Sequence, residues 1–95
     1  MRKFIVTADG HFKFGDVNMH KDLLSAGEDC IGGGIYEFDY VGGRMLLSGK
    51  SYDFGRVQWY SVDTLYLPES LRGLTLEYCD LPITDFVSSI AYYDL

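Results

Sequence analysis

Three consecutive glycines, Gly32-Gly33-Gly34, sit inside an otherwise apolar run from Cys30-Ile31 to Ile35, and this constrains the fold more than any other feature of the chain. Missing side chains weaken a strand but let another group approach the backbone closely, so the run predicts something packed directly against it. Apolar residues make up 47% and aromatics 16% of the 95 residues, with only two prolines; that suits one packed domain spanning 1–95 and excludes a disordered chain.

Around this run the chain reads as α+β. Residues 3–7 and 11–14, joined by Ala8-Asp9-Gly10, predict an opening hairpin; His11 belongs to it as a structural residue. Residues 35–40 and 44–48, joined by Val41-Gly42-Gly43, predict a second. Asp16 is a good N-cap, and Val17, Met19, His20, Leu23 and Leu24 supply a stripe for a helix over 17–26, ended by Gly27. Val57 to Tyr60 reads as a strand, 62–67 as strand or helix, 68–73 as a short helix or turn, and 74–78 as a strand. In the tail, Ile83, Phe86, Val87 and Ile90 fall at i, i+3, i+4 and i+7, which predicts a helix near 82–91 packed on the sheet.

Charge and motifs narrow the function. Fourteen acidic residues against eight basic ones, a net −6, oppose binding to nucleic acid, and no Lys or Arg follows Arg72. That acidic balance leaves room for a basic protein partner. The apolar run after Met1 is too short for a signal peptide or a membrane span, so the expected location is cytoplasmic. Two scattered histidines and two cysteines give no metal-ligand spacing, and no cofactor motif is present. Cys30 and Cys79 are expected as buried thiols without a bridge. The glycine run and Ser51, joined through a hairpin, form a loop able to take an oxyanion on its amides and a hydroxyl.

The stretch Cys30-Ile31-Gly32-Gly33-Gly34, a hairpin, and then Ser48-Gly49-Lys50-Ser51-Tyr52-Asp53-Phe54-Gly55-Arg56-Val57-Gln58 resembles the phosphohistidine phosphatase (janus/ocnus) family pattern of C-x-G-G-G, a hairpin, and Y-G-x-S-x-x-[YF]-G-x-x-Q. Lys3-Phe4-Ile5-Val6 is similar to that family's first strand, and Met19-His20-Lys21-Asp22-Leu23 to its histidine segment. The likeness covers about residues 3–78 and leaves 79–95 as a helical extension.

It implies a mixed, mostly antiparallel sheet of five to six strands flanked by two short helices. It further implies a metal-independent phosphoamidase, acting on a phosphoprotein or another anionic small ligand. His20 is then the general base at a helix start and Lys3 holds the phosphoryl group. Ser51, the amides of Tyr52 and Asp53, and Gly32 form the phosphate cradle. The pattern departs at Asp53, where the family has a small residue, at Met19 and Trp59, and in a shorter segment between His20 and Gly32. Those departures support one alternative, a non-catalytic binding or interaction protein on the same fold with Asp53 altering the loop; the −6 charge balance and small size supply another, an acidic inhibitor or mimic.

Overall fold

Residues 1–49 and 54–94 are described by a computed structural model. The strands are β1 (Arg2–Thr7), β2 (Phe12–Asp16), β3 (Cys30–Asp39), β4 (Arg44–Ser48), β5 (Thr64–Pro68), β6 (Thr75–Tyr78), β7 (Leu81–Pro82) and β8 (Ser89–Tyr93). Four 3-10 turns, His20–Leu23, Trp59–Ser61, Glu69–Leu71 and Ile83–Asp85, take the places where longer helices could have formed.

Six strands make one sheet in the order β2-β1-β3-β4-β6-β7, antiparallel except for the parallel β4–β6 pair, while β5 and β8 pair in parallel as a second sheet. Both expected hairpins are present. Gly10, at φ +90°, turns β1 into β2, and its N–H bonds the Thr7 carbonyl at 2.9 Å. At the second tip the Asp39 carboxylate accepts the Gly42 N–H at 3.0 Å and holds Arg44, which also reaches Glu77 on β6 at 3.2 Å. The fan of contacts from Arg44 thus joins three strands.

β1 is buried from Lys3 to Thr7 because β2 and β3 flank it and both faces are covered. Its two faces differ. Phe4 and Val6 point into the main core with Phe12, Met45, Leu47, Leu65, Leu67, Leu76, Ile83 and Val87. Each such side chain, taken fully from water, contributes about 1.5–3 kcal/mol. The β5–β8 pair closes over that core and leans on β2: the Tyr66 N–H bonds the Gly10 carbonyl at 2.8 Å, and the Tyr93 hydroxyl donates to the Phe12 carbonyl at 2.6 Å.

The expected helices are corrected. No helix covers 17–26. Asp16 ends β2 and its carboxylate takes the N-terminal ammonium instead of capping a helix, so only the single turn His20–Leu23 forms. Nor does a helix cover 82–91: Leu81–Pro82 is a strand, Ile83–Asp85 a turn, and Ser89–Tyr93 a strand on β5. The apolar stripe is nonetheless inside, with Ile83 and Val87 buried and Phe86 and Ile90 packed on the core. Residues 57–60 are not a strand either; Gln58 leads into the turn Trp59–Ser61, which buries Trp59. Residues 62–67 resolve as β5, 68–73 as the turn Glu69–Leu71, and 74–78 as β6. The domain is therefore sheet-rich with a mixed sheet, and its flanking helical elements are 3-10 turns. Among the described residues no helix is long and apolar enough to cross a membrane.

Candidate functional site

The glycine run lies in β3, and each glycine is contacted by a different group. Beyond Ser48 the β3–β4 ladder ends, and the segment 55–57 takes its place along β3. Gly33 donates its N–H to the Gly55 carbonyl at 3.0 Å. A Cβ on Gly32 would sit 2.6 Å from the Arg56 carbonyl oxygen and from the Val57 nitrogen, and Gly32 itself holds φ +147°, so no other residue fits there. A Cβ on Gly33 would stand 2.8 Å from His20 Cδ2, and one on Gly34 would strike the Phe4 ring and the Ser48 carbonyl. The expected close approach to this backbone is real, and His20 is one of the approaching groups.

His20 opens the turn His20–Leu23 and is fully buried. Its Nε2 lies 2.8 Å from the Gly34 carbonyl oxygen. A carbonyl can only accept, so Nε2 carries a hydrogen; in the neutral ring Nδ1 is then the atom that can take a proton. The imidazole also meets the Phe54 ring at 5.5 Å. Lys3 is on the same face of β1 as Ile5, the face against which His20 packs at Gly33. It is 4% exposed, and its Nζ donates to the Asn18 carbonyl at 2.8 Å, two residues ahead of His20. Lys3 pairs with Ile35 and His20 is tied to Gly34, so neighbouring positions of β3 hold the two residues together.

Lys3 and His20 thus lie on one face of the sheet beside Gly33 and Gly34, whereas Gly32 pairs with Val6 further along β1 and is packed against Arg56 and Val57. Ser51, Tyr52 and Asp53 lie outside the described residues. The four-residue turn at His20 is too short to supply a helix macrodipole for an anion. Asn18 was not singled out from sequence, and Phe54 and Gly55 entered only as matched positions of the loop pattern, without a role; the glycine run announced a close neighbour without naming it.

The second histidine stands elsewhere. His11 Nδ1 meets the Asp9 carboxylate at 3.1 Å, and its ring stacks on Tyr66 at 5.0 Å and against Tyr93 at 4.9 Å, joining β2 to the β5–β8 pair. The Thr7 hydroxyl and, less strongly, His11 hold the Asp9 carboxyl below its usual range. Both cysteines are free, as expected, but the expectation of burial is corrected: Cys79 is exposed and Cys30 only half-buried. Burial raises the Cys30 thiol, which keeps it protonated and poorly nucleophilic. Among the described residues no three His, Cys, Asp or Glu side chains gather to hold a metal ion. No protein-family model, curated protein or solved structure matches the chain.

Proposed function

We propose that the protein is a metal-independent phosphoamidase that cleaves the P–N bond of phosphohistidine or phospholysine. The observation that carries this reading is the convergence of two buried groups beside the glycine run: Lys3, and His20, whose Nε2 meets the Gly34 carbonyl. In the proposed step His20 Nδ1 takes a proton from water as the water oxygen bonds to phosphorus. The P–N bond breaks, and the departing nitrogen takes up the proton that His20 accepted, leaving inorganic phosphate, the free side chain and a neutral His20. Lys3 offsets the charge on the phosphoryl oxygens, and Ser51, the amides of Tyr52 and Asp53, and Gly32 complete the cradle.

The burial of both His20 and Lys3 favours a second reading, a non-catalytic binding module in which Asp53 directs the loop towards a basic or neutral ligand. Hydrolysis of phosphoramidate and of a phosphohistidine peptide, measured in excess chelator, separates the two. General base catalysis contributes about 10²–10⁴-fold, so His20→Gln should lower kcat at least a hundredfold while a circular dichroism melt confirms that it folds. Equal rates for the folded variant and the wild type would remove the catalytic reading. Asp53→Ala should then tighten phosphate binding in a phosphatase and weaken the ligand of a binding module.

A further inference from the structure

Among the described residues, β2 and β7 end the larger sheet, and β5 and β8 make up the smaller one. Three of these four strands are protected against the addition of another strand. β2 and β5 lean on each other through the Tyr66 N–H and the Gly10 carbonyl, and the Tyr93 hydroxyl takes the outward Phe12 carbonyl of β2. β7 is two residues long, one of them Pro82, which has no N–H. Covering, shortness, proline and charge are the usual means of blunting an edge. β8, Ser-Ile-Ala-Tyr-Tyr, has none of them on the side away from β5. The Ser89 N–H bonds the Asp63 carbonyl at 3.1 Å, so Ser89, Ala91 and Tyr93 turn their main-chain groups to β5. Ile90 and Tyr92 therefore turn theirs outward, where no described strand pairs with them.

We infer that a second copy of the chain adds to this edge, β8 against antiparallel β8 about a two-fold axis at Ala91, joining two β5–β8 pairs into one continuous sheet. In that register Ile90 lies opposite Tyr92 of the second copy, and the pair exchanges both main-chain hydrogen bonds on each side of the axis. A β-branched residue opposite an aromatic one is a favoured cross-strand pair. Ala91 meets its own copy, and two methyl groups let the strands close. Asp94 falls opposite Ser88 and not opposite another acid. Charge selects the occupant: residues 86–93 are uncharged in a chain of net −6, so two copies escape their mutual repulsion along this strand, whereas a basic partner would find no carboxylate there. The contact is isologous and closes at two copies. It is independent of the phosphoamidase reading.

Sedimentation equilibrium of the full chain should show a reversible monomer–dimer equilibrium. Ala91 pairs with Tyr66 on the face opposite the buried Leu65 and Leu67, so Ala91→Lys and Ala91→Glu place like charges at the axis without entering the core. Each should raise the dissociation constant at least about tenfold. An equimolar mixture of the two should dimerise again, and thermal melts should show that each variant folds. A wild type that stays monomeric at every concentration, which would leave the edge to a strand of a different protein, would overturn the inference. Variants that dimerise as the wild type does, or a mixture that stays monomeric, would equally exclude an axis at Ala91.

Discussion

Replacing Gly33 with alanine is the most direct test of the packing around His20. The new Cβ would lie 2.6 Å from the Phe4 carbonyl oxygen, 2.8 Å from His20 Cδ2 and 3.2 Å from Ile5 Cγ2. None of these can yield cheaply: the first is backbone of the central strand, the second is a buried ring tied to Gly34, and the third belongs to a fully buried side chain. Alanine in a strand ordinarily gains about 0.5–1 kcal/mol over glycine, so a net loss isolates the steric conflict. Overpacking of this kind costs about 1–3 kcal/mol, which in a domain of this size lowers Tm by roughly 5–20 °C. Gly55→Ala is the control, because its Cβ meets nothing within 4 Å and its φ is unexceptional. Thermal and urea melts followed by circular dichroism should place Gly33→Ala well below the wild type and Gly55→Ala at or slightly above it. If Gly33→Ala melts with the wild type, the imidazole does not lie on this glycine, and the site geometry derived above is wrong.

Truncation after Asp80 should abolish cooperative unfolding or lower Tm sharply, since it strips Ile83 and Val87 from the core and removes the partner of β5; a truncated chain melting with the full-length protein would contradict the packing described. Acid should also destabilise the fold. The Lys13 ammonium, first among its causes, holds the Glu28 carboxyl below its usual range, and the Gly42 N–H followed by Arg44 does the same for Asp39. With folded pKa values below unfolded ones, both contribute stability above the unfolded carboxylate range and lose it as pH falls through the folded values, below about pH 4. Melts from pH 7 to pH 3 should show Glu28→Gln less sensitive to acid than the wild type; identical pH profiles would refute the assignment of Lys13 as its partner.

The parts of the fold legible in the sequence are those set by local chemistry. Asp9-Gly10 and Gly42-Gly43 supply the positive-φ positions that tight turns need, so both hairpins could be read with no knowledge of their surroundings. The helices failed for tertiary reasons. An i, i+3, i+4, i+7 spacing over Ile83–Ile90 is met equally by a turn that buries Ile83 and Val87 followed by a strand. Ile90 and the Tyr92-Tyr93 pair tip it to strand once β5 offers an edge. At 17–26 the competitor was β1, since Asp16 pairs with Arg2 and the Val17 N–H bonds the Met1 carbonyl, which extends the β1–β2 ladder past the expected helix start. Of the candidate site, the glycine run was readable because close approach leaves a mark in composition. The carbonyls of Asn18 and Gly34, which hold Lys3 and His20, leave none, because every residue has a carbonyl.

The parallel β5–β8 pair sets the timing of folding. Thr64 pairs with Ser89 and Pro68 with Tyr93, so β5 has no partner strand in its own sheet until residues 89–93 have been made. During synthesis Leu65 and Leu67 wait, exposed, through some 25 residues of further translation, at about 5–20 residues per second. Parallel strands so far apart in sequence close a long loop before any contact offsets its entropy, which slows the step further. On the ribosome the hairpins of β1–β2 and β3–β4 therefore have time to form first, and the nascent chain passes through a stage with one side of its sheet uncovered, where a chaperone that binds apolar strands would find its target.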